Sequence, residues 1–497
     1  MNKADQQSQE IIEAIDDAYL EGSEAREADE IRKRAEEKVD RMGQGSTFKL
    51  LLEFSIPAVV GVVVQMLYNV IDAVYVGHAV GADGLAATTV ANPLMTAMTA
   101  LAMLIGVGGN ALMAIRLGEG KQEEARRVLG ASFILLMLVS VVVWIIGATL
   151  LSPVLVLSGA EGEVLPLARS FTTILIAGCP FQFIAFGMNN FIRTAGYPNR
   201  ALGSMLIGTA ANVVFGYLFI VVLDAQMAGA GLATVCSWIL SSIFVMQFFL
   251  KKKSPMPLRK ETLHLRAPLA GRICVMGIAP AIMELGFAVS SALENNLLVT
   301  YGAADPVGID GALAIMRVLS AVGMFTFMPM VGIASGAQPI IGYNYGAKKF
   351  DRMKRVVWQA MLLAAAITVP IWLSVLLAPD MYANLFSLPV QYRKEAAWAL
   401  VLFLIFVPIL SIQSIGSNYF NATGQAFKAT ILTLTRQILF LIPLLIFCPQ
   451  ILPLFTPLSP LESVWFAASI SDITSVLIVS VFLLVELRRL RRISAAA

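Results

Sequence analysis

The chain contains two copies of one unit, and this duplication constrains its fold more than any other sequence feature. The stretch GAQPIIGYNYGAKKFDRMKR (residues 336–355) has a weaker copy, GGNALMAIRLGEGKQEEARR (residues 108–127), which aligns Gly118 with Gly346 at an offset of 228 residues. The same offset aligns further residues later in the chain, namely Pro180 with Pro408, Asn190 with Asn418 and Gly196 with Gly424. A repeat of this length predicts two structurally similar halves.

Each half contains six apolar stretches long enough to cross a lipid bilayer, which takes about 20 residues of helix. Charged residues make up 14% of the chain, compared with about 25% in an average soluble domain, and the mean hydropathy is +0.76. The sequence therefore predicts an all-α integral membrane protein with twelve transmembrane helices. They start near Leu50, Thr88, Val128, Leu165, Ala201, Met227, Arg272, Gly311, Val356, Ala396, Ala429 and Ser463.

Lysine and arginine are concentrated in alternate loops, such as residues 121–127 after the second span and 348–355 after the eighth. Short cytoplasmic loops retain these residues, so we expect both termini to be cytoplasmic. Because six spans per half is an even number, both halves cross the membrane in the same sense. The prediction is two six-helix lobes related by a pseudo-two-fold axis along the membrane normal, with a cavity between them.

Charge and proline content divide the chain into segments. Residues 1–45 hold 13 of the 33 acidic residues, and we expect a solvated, partly helical cytoplasmic extension, with a regulatory or partner-binding helix as the alternative. We assign the first lobe to residues 46–250, a basic linker to 251–270, the second lobe to 271–487 and a basic cytoplasmic tail to 488–497.

Motifs of soluble enzymes are absent from the sequence, which has two histidines and no HExxH, GxSxG or GxxxxGK[ST] pattern. We therefore expect no catalytic residues, no cofactor and no ATP-driven step. The four cysteines show no metal-ligand spacing, and the GxxxG pair of Gly332 and Gly336 indicates close helix packing. Since topology explains the basic loops, we expect no nucleic-acid partner, and a monomer surrounded by membrane lipid.

A polar stripe on the first span carries the most informative charge. Gln65, Asn69 and Asp72 recur at i, i+4 and i+7 and so share one helix face. Pro57 lies two turns before the stripe and is able to bend the helix. No basic residue accompanies Asp72 in the membrane interior of its lobe, so this carboxylate is suited to binding a proton or a sodium ion. The alternative is a neutral buried acid that only donates a hydrogen bond.

The other ionisable residues within the spans lie in the second lobe. A charge in the middle of a bilayer is costly unless it faces a cavity or a partner. Arg436 and Asp472 lie in consecutive spans and are expected to neutralise one another, and Arg317 is a candidate partner for Glu294. Glu284 has no evident partner.

Five stretches carry a family resemblance. Residues 57–93 resemble the first two helices of the multidrug and toxic compound extrusion (MATE) family, and the other four resemble its MepA-like branch: 191–202, 227–234, 336–355 and 435–445. The resemblance extends over about residues 48–487. It implies cation-coupled antiport, in which H⁺ or Na⁺ enters while amphipathic, often cationic drugs leave the cell.

The resemblance also implies a cation site. The bending proline and the first-helix carboxylate of the family match Pro57 and Asp72, its fifth-helix asparagine matches Asn212, and its sixth-helix threonine matches Thr234. Many relatives have a second aspartate where this chain has Gly216. The substitution argues against a sodium site with several carboxylates and favours a proton on Asp72.

We predict that the substrate, a small-molecule drug or organic cation, binds between the lobes. Glu284, Ser291 and Asn295 on the seventh helix share one face by their i, i+7 and i+11 spacing, although packing of that face against a neighbouring helix would give the same pattern. A flippase of lipid-linked sugars remains the alternative function, and it would need a cationic cavity for the pyrophosphate. The residues predicted to line the cavity are Gln65, Tyr68, Asn69, Glu284, Ser291, Glu294 and Asn295.

The predicted topology is testable by labelling. Cysteines introduced at Gln122 and Phe350, in equivalent basic loops, should react with an impermeant thiol reagent only from the cytoplasmic side. Reaction of either cysteine in intact cells would contradict the assigned orientation.

Overall fold

The computed structural model describes residues 30, 33, 36–251, 254, 256–386 and 388–496. Most of the predicted acidic extension, residues 252, 253 and 255 of the predicted linker and the last residue of the predicted tail therefore lie outside the described residues. Residues 36–44 are helical. The predicted tail continues the last helix, which runs from Pro460 to Ala496.

Within the part of the chain that the structure describes, twelve helices are long and apolar enough to cross a membrane, which confirms the predicted number. Each begins one to six residues before the predicted start, because the helix extends beyond its apolar stretch into interfacial residues. They are α1 Thr47–Ala79, α2 Ala82–Gly118, α3 Gln122–Leu157, α4 Val164–Thr194, α5 Pro198–Val222, α6 Gln226–Leu250, α7 Ala267–Gly302, α8 Gly308–Gly346, α9 Phe350–Leu377, α10 Val390–Ala422, α11 Ala426–Phe455 and α12 Pro460–Leu490.

Several of these helices are locally irregular. Pro57 lies inside α1 and has no N–H to donate, which leaves one carbonyl of the preceding turn without its helical partner. Wider π-helical turns occur in α5 at Tyr217–Val222 and in α11 at Thr435–Leu441. Such turns often accompany functional sites. By the 228-residue offset Thr435–Leu441 corresponds to residues 207–213, so the two turns lie at different places in the two halves.

The two lobes, α1–α6 and α7–α12, meet mainly through α1 and α2 packing against α7 and α8. The contact lies where α1 and α7 begin and α2 and α8 end, which we call the basic end because the basic loops lie there. A Cβ atom built on Gly332 would lie 2.7 Å from the Val59 Cα, and one on Gly336 would lie 2.7 Å from the Ser55 Cα. The predicted role of this GxxxG pair in close packing is confirmed.

The crossing of α2 with α8 shows the two-fold relation directly. A Cβ atom built on Gly118 would lie 3.0 Å from the Ala347 nitrogen, and one built on Gly346 would lie 3.1 Å from the Glu119 nitrogen. Ala347 and Glu119 are themselves separated by the repeat offset of 228 residues. Each helix therefore makes the same backbone contact with the other, as an axis passing between them requires.

We predict that a side chain at this crossing destabilises the protein. Gly118→Val and Gly346→Val should each cost about 1–3 kcal/mol, because overpacking displaces backbone that cannot yield. Gly271→Val provides the matched control, since no atom lies within 4 Å of a Cβ built on Gly271. Thermal unfolding in detergent measures the effect, and equal midpoints for all three variants would show that the crossing is loose.

Candidate functional site

The carboxylate predicted to bind a cation lies on α1, which packs against α5 and α6. Asp72 is partly buried, and its Oδ1 atom is buried without a hydrogen-bond partner in the protein. One turn earlier on α1, the Tyr68 hydroxyl lies 3.4 Å from the Thr234 Oγ1 on α6. This contact joins a predicted cavity residue to a predicted cation-site residue.

Asn212 on α5 is the third residue of the predicted cation site. Its side chain is fully buried, and neither Oδ1 nor Nδ2 has a hydrogen-bond partner in the protein. An unsatisfied buried polar group costs about 1–3 kcal/mol, so native structures rarely contain one without an ion, a water or a function. The unpaired atoms of Asn212 and Asp72 are therefore free to bind a small polar or charged ligand.

The position one turn beyond Asn212 explains why the group has a single carboxylate. A Cβ atom built on Gly216 would lie 2.9 Å from the Tyr75 ring, and the Tyr75 hydroxyl donates to the Val213 carbonyl at 3.3 Å. The tyrosine fills the space that a second acidic side chain would need. Among the described residues, no cluster of three or more His, Cys, Asp or Glu could hold a metal ion.

In the second lobe one buried arginine and one buried aspartate neutralise each other. The Arg436 Nε lies 2.7 Å from the Asp472 Oδ1, with side chains 15% and 6% exposed, and the guanidinium lies 4.4 Å from the centre of the Phe327 ring. The predicted pairing of Arg436 with Asp472 is confirmed. The predicted pairing of Arg317 with Glu294 is wrong, because Arg317 is exposed and none of the ion pairs between described residues joins the two.

None of the remaining predicted cavity residues is fully buried. Asn69, Ser291 and Asn295 are exposed, whereas Gln65, Glu284 and Glu294 are partly buried. No hydrogen bond or ion pair between described residues joins the α7 members of this set to Asp72, Asn212 or Thr234. Their role in a cavity therefore stays a prediction.

A polar network that we did not predict seals the basic end between the lobes. The Asn110 amide donates to Gln338 Oε1 at 3.4 Å, Gln338 donates to Asn421 Oδ1 at 3.1 Å, and Asn421 donates to the Met276 carbonyl at 2.9 Å. Thr194 donates to the Asn110 oxygen. Asn110 and Gln338 are equivalent by the 228-residue offset, and this coincidence of buried amides in both repeats is the sequence signal that could have revealed the network.

Comparisons with known proteins agree with this architecture. A family model described as MatE matches residues 57–218 and 307–447. The multidrug export protein MepA of Staphylococcus aureus is 22% identical over 78% of this chain and 84% of its own length, and that of Staphylococcus haemolyticus is 23% identical over 79% and 85%. A solved structure described as the outward-facing conformation of a multidrug resistance MATE family transporter covers 91% of this chain and 98% of its own, with a TM-score of 0.83 at 23% identity.

We predict that the ion pair of the second lobe is costly to break from one side. Arg436→Met should destabilise the protein by about 3–5 kcal/mol, because Asp472 is left buried and uncompensated, and adding Asp472→Leu should recover most of that loss. Thermal unfolding in detergent provides the measurement. Arg317→Met, which removes an exposed arginine, is the control, and an equal effect from it would contradict the account.

Proposed function

This chain belongs to the MATE family of multidrug export transporters, and we propose that it works as a cation-coupled antiporter. In this proposal H⁺ or Na⁺ enters while an amphipathic, often cationic drug leaves. The protein is a multi-pass protein of the plasma membrane with small-molecule substrates as its class of cargo. We place the basic end and both termini in the cytoplasm, because short cytoplasmic loops retain Lys and Arg.

One observation carries the coupling proposal. Asp72 and Asn212 keep buried polar atoms without partners in the protein, and the helices that carry them, α1 and α5, pack against each other. Tyr68, one turn from Asp72, contacts Thr234. A cation bound there would satisfy these atoms and neutralise the carboxylate of the first lobe. Loading and unloading the site therefore changes one local charge, and a change of this kind can favour one conformation over the other.

A proton is the simpler coupling ion. The site offers one carboxylate, and its further protein oxygens, those of Asn212, Thr234 and Tyr68, are neutral. Tyr75 fills the space where a second carboxylate would lie. A proton needs only the carboxylate of Asp72, whereas a sodium ion would need several oxygens around it, so we propose H⁺ as the coupling ion.

The lobe contacts support transport by alternating access. The lobes touch at the basic end through glycines that admit no side chain and through the amide pair of Asn110 and Gln338. In the assigned orientation this closes the cytoplasmic side, so a bound drug has its exit on the other side. The reverse state requires the same contacts to separate, and Pro57 provides a weak point in α1 where the helix can change its bend.

The flippase alternative has less support. A pyrophosphate needs free cationic side chains in the cavity. Arg436 is held by Asp472 at 2.7 Å, so of the two intramembrane arginines that we assigned only Arg317 is left to meet a pyrophosphate, while Asp72, Glu284 and Glu294 add negative charge. This balance of charge suits a cationic cargo.

We predict that Asp72→Asn abolishes gradient-driven export while leaving membrane insertion intact, because the amide copies the neutral carboxyl without a change in volume. Asp224→Asn is the matched control, since Asp224 is exposed at the end of α5 and should leave export nearly unchanged. The measurement is transport of a fluorescent organic cation in proteoliposomes under an imposed pH gradient and then under a sodium gradient.

The two gradients distinguish the outcomes. Wild-type transport driven by the sodium gradient alone would replace H⁺ with Na⁺ as the coupling ion. If Asp72→Asn still concentrated the drug under either gradient, the coupling site would have to lie elsewhere, with Glu284 and Glu294 as the next candidates.

A further inference from the structure

The residues just before α1 form a bridge between the two lobes. We call residues 36–45 the entry segment; residues 36–44 of it are helical. Its Met42 side chain is 1% exposed, although the composition of the extension predicted a solvated segment. The segment is helical and Glu37, Lys38, Asp40, Arg41 and Gln44 are exposed, as expected, but Met42 and Gly43 are buried against the basic end.

On one side the entry segment belongs to the first lobe. It continues directly into α1, and Arg41 forms an ion pair with Glu53 at 3.1 Å. The Lys38 ammonium lies 4.0 Å from the centre of the Tyr197 ring, in the loop between α4 and α5. These contacts fix the segment to the first lobe as that lobe moves.

On the other side the second lobe holds its backbone. The Asn344 amide donates to the Met42 carbonyl at 3.0 Å, and Lys349 donates to the Gly43 carbonyl at 2.9 Å. Arg352 donates to the carbonyls of Met42 and Gly45. Carbonyls at a helix C-terminus lack helical partners and attract cations, so the basic loop of the second lobe caps the short helix across the lobe interface.

One further contact joins the same two partners. The Tyr343 hydroxyl donates to Asp40 Oδ1 at 2.9 Å. Tyr343 lies next to the crossing of α2 with α8, so the entry segment is held at the place where the lobes meet.

The equivalent loop of the first lobe has a different arrangement. Lys121, the counterpart of Lys349, lies 3.1 Å from Glu119, and Arg116, the counterpart of Asn344, lies 3.2 Å from Glu124. Glu124 itself stands where the second copy has Arg352. The first loop thus satisfies its own charges, whereas the second copy directs its cations to the entry segment. Membrane topology accounts for basic residues in both loops but not for this difference.

We propose that the entry segment is a clamp that holds the basic end closed and must release before the cavity can open on that side. The proposal rests on the alternating access proposed above. Separation of α2 from α8 carries the entry segment away with the first lobe, so its bonds to Tyr343, Asn344, Lys349 and Arg352 break together. The clamp therefore adds to the stability of the closed state without touching the cation site.

The test measures the opening of the basic end directly. Spin labels at Arg127 and Arg355, which are exposed and equivalent by the repeat offset, report the distance between the lobes in full-length protein with its four cysteines replaced by alanine. In lipid nanodiscs, Lys349→Gln with Arg352→Gln should raise the ratio of long to short distances about tenfold, as expected for lost charge-assisted hydrogen bonds. Tyr343→Phe, which removes one hydroxyl, should shift the ratio less and in the same direction.

Lys348→Gln is the control for Lys349→Gln alone, because each removes one charge from the same loop, but of these two lysines only Lys349 donates a hydrogen bond to the described entry segment. Lys348→Gln should leave the ratio unchanged, and Lys349→Gln should raise it. An unchanged ratio in both clamp variants, or an equal shift in the control, would overturn the proposal. Because no ion gradient is applied, the result does not depend on whether Asp72 is the coupling residue. Failure of that assignment would appear in the proteoliposome assay alone.

Discussion

The hydrogen bond between Asn110 and Gln338 is the interaction on which the arrangement of the lobes depends. The two amides are equivalent residues of the two repeats, 3.4 Å apart across the lobe interface, and both are buried. A buried amide needs a hydrogen-bond partner. Asn110 and Gln338 can pair with each other only when α2 and α8 lie in the alignment seen here. Gly118 and Gly346 permit that register, because their lack of a Cβ lets the two backbones touch. These four residues help to close the basic end, together with the contacts of Gly332 and Gly336 with α1 and the bonds to the entry segment.

Symmetry of the scaffold does not extend to the charges that it carries. The first lobe keeps a carboxylate, Asp72, with an unpartnered oxygen, while the second lobe pairs its buried aspartate with Arg436. The basic loops diverge as well, since one is satisfied by its own acidic residues and the other binds the entry segment. The two similar halves therefore differ in the charged side chains that they carry.

Patterns along the chain predicted the twelve helices, the two-fold repeat and the pairing of Arg436 with Asp472, because apolar length, repeat offset and helix adjacency are local or periodic signals. Long-range contacts were harder to predict. The Tyr343 bond to Asp40 joins residues 303 positions apart. The acidic composition of the extension gave no indication that Met42 is buried against the lobes. Arg317 failed as a partner of Glu294 because consecutive spans need not turn their polar faces toward each other.

Proton release on drug binding tests the central claim most directly. If a proton and the drug compete through Asp72, reciprocity requires the drug to change the proton affinity of that residue. Adding an organic cation to purified, weakly buffered wild-type protein should release up to about half a proton per molecule near the midpoint of the Asp72 titration, where half of the molecules carry the proton, and Asp72→Asn should bind the drug and release none. Equal release from both proteins, or none from the wild type at any pH, would contradict the account.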